Sequence, residues 1–346
     1  MGRGFLINNN KKMSAIPLNE SVPIIKGLNL TNKQLKEAFL SNKMLLIDAE
    51  TSNICNLNCE YCFRDVYGTK SAIKNELSIK ERKDLFKQAC ELGCRTIKIS
   101  GAGEPSIDPY FEEMVKYAND LGMWVISFTN GFVIDEKRAK ELSKLGLSLI
   151  VKCNSFDPKI EDKMVGRQGY AEKRNKALNC LISAGFTKDK PTRLGMDAVI
   201  TKLNIDIIIN SLRYCRQNNI FPIFRPMMPI GGARDKEEWQ ITKEETIKLY
   251  EKARDLDKKE FDIEYDLALP YMGGTWCRQL NYALYINILG EVYSCTGSKK
   301  CFGNIRDKKL KEIWNSSDVQ KVRNTPYDSC PMREKYWRGE KNYDCV

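Results

Sequence analysis

Hydrophobic and polar residues follow two alternating spacings along most of this chain. From residue 44 to residue 226, short apolar runs typical of strands are each followed by a stretch in which apolar residues recur with helical spacing. The predicted strands are residues 44–50, 95–100, 123–128, 147–152, 193–200 and 221–226. The predicted helices between them are residues 78–93, 108–122, 135–146, about 170–184 and 204–218. Ser78 is a predicted N-cap and Gly93 a predicted helix stop.

This alternation of strands and helices through short loops predicts an α/β fold with a parallel sheet and right-handed crossovers. Six units are fewer than the eight of a closed TIM barrel, so we expect a partial, open (β/α)6 barrel. Ligands of such folds bind at the C-terminal ends of the strands. Candidate site residues are therefore sought directly after each strand.

The pattern changes after about Asp235. A long charged helix is predicted from about Thr242 to Lys259, and a hairpin and a short helix at 309–314 follow it. The sequence therefore predicts three parts, which are an N-terminal lead-in over 1–43 with one helix near Thr31–Leu40, a barrel over 44–240 and a small C-terminal domain over 241–346.

Composition narrows the chemistry. The 346 residues include 13 cysteines and no histidine, which excludes Ser–His–Asp triads and zinc sites built on histidine. No apolar run is long enough for a membrane span, and the N-terminal segment has no signal-peptide core, so we expect a cytoplasmic protein without a membrane partner. In that setting, clustered cysteines indicate metal or cluster ligation rather than disulfides.

The net charge of +11 is spread along the chain rather than concentrated in blocks. One interpretation is a solvated surface, and the other is an anionic ligand or substrate. Nucleic acid is not expected as a partner, because no recognition motif is present.

Three cysteines follow the first predicted strand in the segment Cys55-Asn-Leu-Asn-Cys59-Glu-Tyr-Cys62. Four thiolates saturate a [4Fe–4S] cluster, whereas three leave one iron open to a further ligand. A zinc loop and buried core cysteines are the alternatives, and a redox pair of Cys59 and Cys62 does not account for Cys55. The spacing therefore predicts a cluster with one open iron.

This segment resembles the CxxxCxΦC signature of the radical S-adenosylmethionine (SAM) superfamily, with Tyr61 as the aromatic residue. The resemblance implies that the cluster binds SAM and cleaves it reductively to a 5′-deoxyadenosyl radical. It implies an external electron donor such as flavodoxin or ferredoxin, and it implies that Tyr61 packs near the adenine.

Residues 101–105 read Gly-Ala-Gly-Glu-Pro and resemble the GGEP motif of that family, with Ala102 in place of a glycine. The resemblance implies that Glu104, with Gly101, Gly103 and Pro105 beside it, binds the methionyl amino group of SAM. A carboxylate facing an ammonium group is also the physically sensible choice.

Two later strand ends complete the implied SAM site. Thr129 and Asn130 end the third strand and resemble a segment beside SAM, and Asn154 and Ser155 after the fourth strand resemble ribose contacts. Residues 199–204 resemble the segment near the adenine. A turn or cap role is the alternative for each residue.

The C-terminal domain resembles the SPASM or shorter twitch extension of the family, which carries auxiliary [4Fe–4S] clusters. Cys277, Gly290 and Cys295 have the spacing of its opening motif, but a later CxxC is missing because Arg333 stands at the second position after Cys330. We therefore expect one auxiliary cluster in a twitch-like domain. The candidate ligands are Cys277, Cys295 and Cys330, with Cys345, Cys301 or an open site as the fourth. Unliganded thiols are the alternative.

Three further residues are candidate catalytic groups. Lys152 ends the fourth strand and Arg225 lies in the last one, so both can hold a carboxylate or phosphate of the substrate. Cys153 also lies at the end of the fourth strand, where it is either a radical relay or acid group or a packed core thiol.

These features predict a radical SAM oxidoreductase acting on a small polar or anionic substrate such as an aminocyclitol, sugar or nucleotide, with the auxiliary cluster as electron acceptor. The alternative is a peptide-modifying maturase that forms a thioether, a C–C crosslink or an epimerised residue. It ranks second because such enzymes usually carry an N-terminal peptide-recognition domain and residues 1–43 look too short for one. A non-catalytic electron carrier has no need of the motifs at the strand ends.

Overall fold

The structure, a computed structural model, describes residues 6–7, 11–12, 22–64, 74–267, 269–275, 277, 279–325 and 329–340. Its strands are β1 (Leu6–Ile7), β2 (Lys11–Lys12), β3 (Leu46–Glu50), β4 (Thr96–Gly101), β5 (Trp124–Thr129), β6 (Leu147–Lys152), β7 (Leu194–Ile200), β8 (Phe221–Pro226), β9 (Ala283–Ile286), β10 (Glu291–Tyr293) and β11 (Gly303–Asn304). Its α-helices are α1 (Asn32–Leu40), α2 (Ile79–Glu91), α3 (Phe111–Asp120), α4 (Glu136–Leu142), α5 (Pro158–Val165), α6 (Tyr170–Ser183), α7 (Ile208–Gln217), α8 (Lys243–Phe261), α9 (Gln279–Tyr282), α10 (Leu310–Trp314), α11 (Ser317–Asn324) and α12 (Pro331–Trp337). Among these helices, none is both long and apolar enough to cross a membrane.

The six strands β3 to β8 lie side by side in chain order, and every neighbouring pair is parallel. This confirms the predicted α/β fold with an open six-stranded barrel. The helices between the strands cover the outer face, as right-handed crossovers require.

Local sequence signals set the helix starts. Thr31, Ser78 and Thr242 each form a capping box, in which the hydroxyl accepts from the backbone N–H three residues on and the side chain there accepts from the cap N–H. The chain turns after α2 at Gly93, whose φ of 91° suits glycine.

Four of the α-helices were missed by the sequence analysis, namely α5 in the barrel and the short helices α9, α11 and α12 in the C-terminal region. Helix α5 lies between β6 and α6, where only a helix near 170–184 was predicted. Its signals were present, because Asp157 is an N-cap, Pro158 occupies the first turn and Gly166 is a left-handed C-cap. At eight residues, α5 is too short for the periodicity of its apolar residues to be conclusive.

The predicted C-terminal hairpin extends the barrel sheet. Strand β9 pairs in parallel with β3, and β10 and β11 continue the sheet outward, so the nine strands run in the order β11-β10-β9-β3-β4-β5-β6-β7-β8. The buried carboxylate of Glu50 accepts from the Tyr285 hydroxyl and from the Ile288 N–H (3.0 Å). The cysteine-bearing C-terminal region is thereby fixed against the first barrel strand.

The two faces of the barrel strands have different roles. The outer face packs against the helices as the main hydrophobic core. The inner face at the N-terminal end of the barrel is closed by a second apolar cluster of Ile25, Ile126, Ile150, Phe221 and Ile223.

Toward the C-terminal end of the barrel the inner face becomes polar. Because side chains alternate along a strand, Lys152 shares the inner face with Ile150, and Arg225 shares it with Ile223. The open mouth of the barrel thus has an apolar base and a charged wall.

Candidate functional site

The cysteine loop follows β3 and is braced by the C-terminal end of α5. The Glu60 N–H donates to the Met164 carbonyl (3.2 Å), and the Arg167 guanidinium donates to the Asn56 carbonyl (2.7 Å). Cys55 and Cys59 pack against the cluster of Leu57, Val165 and Tyr170. Helix α5, which the sequence analysis missed, therefore positions the cysteine loop.

Two glycines permit close approach to this loop. A Cβ on Gly103 would overlap the Ile54 carbonyl, and a Cβ on Gly166 would lie 2.7 Å from the Asn58 carbonyl oxygen. Gly166 also has a φ of 65°, which side chains disfavour. The GAGEP segment and the end of α5 thus enclose the cysteine loop from two sides.

The three thiols of the loop interact with one another electrostatically. Burial, together with the neighbouring Cys62 and Cys55, raises the pKa of Cys59 to about 12. The Arg64 guanidinium hydrogen-bonds to Cys62 and lies within the field of the other two thiols. The high pKa favours the neutral Cys59 thiol, whereas bound iron cations would favour the thiolate.

No three Cys, Asp or Glu side chains in the described part of the chain are spaced to hold a single metal ion. The sulfurs that hold a [4Fe–4S] cluster each bind a different iron, so their spacing is wider.

Glu104 links the loops after β4 and β5. Its Oε1 accepts from the Ser106 N–H (3.1 Å), the Ser106 hydroxyl (2.5 Å) and the Thr129 hydroxyl (2.6 Å). Its Oε2 accepts from the Asn130 N–H (2.6 Å). Burial raises the pKa of Glu104 above its usual value, and these donors offset only part of the rise. A carboxylate oxygen accepts more than one hydrogen bond, so Oε2 retains room for a further donor.

Asn154 links the ends of three strands. Its Nδ2 donates to the Tyr61 hydroxyl (2.8 Å), its Oδ1 accepts from the Val199 N–H (3.0 Å), and its carbonyl accepts from Asn204 (2.9 Å). The Ser155 N–H donates to Glu161 (2.7 Å). The polar groups of this segment thus hold Tyr61 in place beside the cysteine loop.

A charged cluster lies on the inner face above the apolar base. The Asp197 carboxylate accepts from Lys152 Nζ (2.6 Å) and from the Arg225 guanidinium. Burial raises the pKa of Asp197, but the charges of Arg225 and Lys152 outweigh it and leave the pKa below its usual value. Lys152 Nζ also lies 5.0 Å from the centre of the Tyr61 ring. The cluster therefore combines two cations and one fixed anion next to the cysteine loop.

A second polar group lines the opposite wall of the barrel. Lys98 Nζ pairs with Asp48 (2.6 Å), which also accepts from the Ser100 hydroxyl (2.5 Å). Together, these two groups carry three cations against two carboxylates, so their combined charge is positive.

Comparison with known families identifies this arrangement. The model of the radical SAM superfamily matches residues 49–215, which run from the end of β3 through α7. The model of the SPASM iron–sulfur cluster-binding domain matches residues 277–334. The chain belongs to the radical SAM superfamily.

The relatives of this radical SAM enzyme have several activities. A PqqA peptide cyclase of Rhizobium meliloti is 27% identical over 288 residues, which cover 78% of this chain and 73% of the relative. An AdoMet-dependent heme synthase of Methanosarcina barkeri is 24% identical over 313 residues, which cover 81% and 84%. The structure of Streptococcus suis SuiB bound to precursor peptide SuiA matches with a TM-score of 0.66 at 16% identity and covers 85% of this chain and 70% of SuiB.

The family membership confirms several sequence predictions. The chain is a radical SAM enzyme with a C-terminal SPASM domain, and its cofactors are SAM and [4Fe–4S] clusters. The cysteine loop fits such a cluster, because it offers three adjacent thiols beside the cationic Arg64. Which residues hold each cofactor stays a prediction.

The structure places Cys153 away from the barrel interior. Its side chain is fully buried in the core between the sheet and the helices, next to Arg174 and on the opposite face of β6 from Lys152. Burial raises the pKa of the Cys153 thiol to about 12. This placement favours the packing alternative.

Several residues of the site were missed by the sequence analysis. Glu161 and Arg174 form a buried ion pair (3.8 Å) that holds the backbone of Ser155, because Glu161 accepts from its N–H and Arg174 donates to its carbonyl. Asp197 joins Lys152 to Arg225. A charged residue inside the apolar strand segment LGMDAVI was a signal that could have identified Asp197.

The SPASM cysteines gather near the barrel mouth. The thiols of Cys277, Cys295 and Cys330 lie in one another's electrostatic field, and burial raises the pKa of Cys330 to about 11. The Tyr271 hydroxyl hydrogen-bonds to Cys277 and lies in the field of Arg225. Cys301 is exposed and donates to the Gly303 carbonyl (3.4 Å). The last predicted ligand, Cys345, lies outside the described residues.

Proposed function

We propose that this radical SAM enzyme modifies a peptide substrate at a side chain bearing a carboxylate. The observation that carries the proposal is the set of relatives named PqqA peptide cyclase, which match over most of both chains at 24% to 27% identity. In the SuiB structure the same fold holds a precursor peptide. This reverses the order expected from the sequence, where the small-molecule substrate ranked first.

The first step of the proposal concerns the cluster that binds SAM. Cys55, Cys59 and Cys62 are its ligands, and Arg64 balances the charge of the thiolates. The chemistry that bound SAM and cluster supply is hydrogen-atom abstraction from the substrate. The loop has no fourth cysteine, which leaves one iron open to SAM.

The residues around the loop then orient SAM. Glu104 Oε2 accepts from the methionyl ammonium, since Ser106 and Thr129 already occupy Oε1. Tyr61 packs beside the adenine and is held by Asn154. The proposed SAM-binding residues also include their neighbours Gly101, Gly103, Pro105, Asn130 and Ser155.

The charged inner wall binds the carboxylate of the substrate. Arg225 is about one third exposed toward the barrel mouth and makes one described hydrogen bond, to Asp197. Its remaining N–H groups form a planar fork that matches a carboxylate. Lys152 is more deeply buried and adds positive charge from the side. Because Asp197 is held charged, it fixes both cations and does not act as a base.

The SPASM cysteines Cys277, Cys295 and Cys330 hold an auxiliary cluster next to this wall. A substrate that loses a hydrogen atom must lose one more electron, and usually a proton, to become a neutral oxidised product. A redox centre at the barrel mouth is placed to accept that electron.

A small carboxylated molecule is the second candidate substrate. The AdoMet-dependent heme synthase relative favours it, and the same cations serve either substrate.

Co-expression with the short peptides encoded beside the gene tests the proposal. We expect one peptide to change mass, by the loss of two hydrogens if a crosslink forms, and to keep its mass with the Arg225→Met variant. If every peptide keeps its mass while a carboxylated porphyrin is turned over by the purified enzyme, the peptide assignment is wrong.

A further inference from the structure

Arg333 occupies the position where a second cysteine would complete a Cys-x-x-Cys pair with Cys330. Helix α12 begins directly after Cys330, so Arg333 lies in its first turn. The side chain is only 2% exposed, which is unusual for arginine. A buried cation at a cysteine position therefore requires a physical explanation.

The partners of the Arg333 guanidinium are neutral. Nη2 donates to the Pro226 carbonyl (2.6 Å) and Nη1 to the Met227 carbonyl (3.3 Å). Nε has no hydrogen-bond partner, and no carboxylate lies within ion-pair distance, in the part of the chain that the structure describes. A buried charge without a counter-charge is costly, so this site needs an anion to become stable.

The SPASM cysteines supply negative charge beside Arg333 once they are deprotonated as cluster ligands. The backbone N–H of Arg333 donates to the Cys330 sulfur, and the Cys330 thiolate is the main group that favours the charged guanidinium against the cost of burial. The segment is also packed onto Cys295, because a Cβ on Gly297 would overlap the Met332 sulfur and lie 3.9 Å from the Cys295 sulfur. Arg333 therefore directly follows a residue that packs on Cys295, and its own backbone contacts Cys330.

The same guanidinium reaches the end of the barrel. Pro226 and Met227 directly follow Arg225 at the end of β8. Arg333 thus ties the cysteine site to the strand that carries the proposed substrate contact.

We propose that Arg333 is the fixed counter-charge of the auxiliary cluster and raises its reduction potential. The inference rests on the proposed ligation by Cys277, Cys295 and Cys330, and it is independent of the substrate. A cluster held by thiolates becomes one unit more negative when it accepts an electron. A nearby cation in a low-dielectric site stabilises this reduced form more than the oxidised form.

The test uses the Cys55→Ala, Cys59→Ala, Cys62→Ala protein, which retains only the auxiliary cluster. Its midpoint potential is measured by redox titration followed by EPR, alone and with Arg333→Gln or Arg333→Lys added. Lys243→Gln removes a half-exposed surface charge from the neighbouring helix and serves as the control. We expect a more negative potential with Gln, and values close to the parent with Lys and with the control.

An unchanged potential in the Arg333→Gln protein at full iron content overturns the proposal, and so does an equal shift with Lys and Gln. If Gln prevents cluster assembly, iron content decides: retention with Lys supports the counter-charge, and loss with both variants contradicts it. A parent protein without any iron would instead refute the ligand assignment.

Discussion

Gly166→Ala tests how the cysteine loop is positioned. The added Cβ would lie 2.7 Å from the Asn58 carbonyl oxygen, whereas ordinary contacts begin at 3.4 Å, so the backbone must move by about 0.7 Å. Asn58 lies between Cys55 and Cys59, so this shift displaces the proposed ligands. Misplacement on the order of 1 Å costs about a hundredfold in rate, and we expect 5′-deoxyadenosine formation to fall by about ten- to a hundredfold.

Gly169→Ala is the matched control. Gly169 has a φ of 74°, close to the 65° of Gly166, and a Cβ there meets nothing within 4 Å. Both variants should lose about 1–2 kcal/mol of stability, because alanine disfavours a left-handed backbone. Only Gly166→Ala should also displace the loop. The assay is anaerobic reconstitution followed by iron content and SAM cleavage under dithionite. Equal SAM cleavage in the two variants would refute the reasoning.

Three further predictions follow from named contacts. Glu104→Gln should raise the KM for SAM by about ten- to a hundredfold, because it removes a charged acceptor worth about 1.5–3 kcal/mol, whereas the exposed Glu113→Gln should not. Burial raises the pKa of Glu50 to about 7, so the folded state holds the Glu50 proton more tightly than the unfolded state does. The free energy of unfolding should therefore decline as the pH rises from about 4.5 to about 7. The Glu50→Gln protein should lack this decline of about 3 kcal/mol when the free energy of unfolding is measured at pH 5 and pH 8. A pH profile equal to that of the wild type would contradict the assignment. Cys277→Ala with Cys295→Ala should still form 5′-deoxyadenosine but no oxidised product, and normal product without the auxiliary cluster would show that the domain is a structural lid.

Residue patterns were sufficient to predict the barrel. Each motif follows an apolar segment of at least five residues that is typical of a strand. Ser78 and Thr242 begin helices through capping signals that depend only on nearby residues. The position of Cys55, Cys59 and Cys62 after a strand depends only on these local features, so it was predicted as well.

Long-range contacts were not predictable in the same way. The parallel pairing of β9 with β3 joins residues more than two hundred positions apart. The sequence of the β9–β10 hairpin predicts the hairpin itself, but it does not indicate which barrel strand the hairpin pairs with. The inward direction of Lys152 and the outward direction of Cys153 follow only once the register of β6 is known.

The most direct test of the central claim is SAM cleavage by the protein with Cys55, Cys59 and Cys62 all replaced by alanine. A protein with Cys90→Ala and Cys180→Ala, two thiols packed against the helix core, is the control. The wild type and the control should form 5′-deoxyadenosine under dithionite and bind about eight irons per chain, as two [4Fe–4S] clusters require. The triple variant should form none and retain about four irons. Unchanged 5′-deoxyadenosine formation in the triple variant would contradict the claim that this loop binds the SAM cluster.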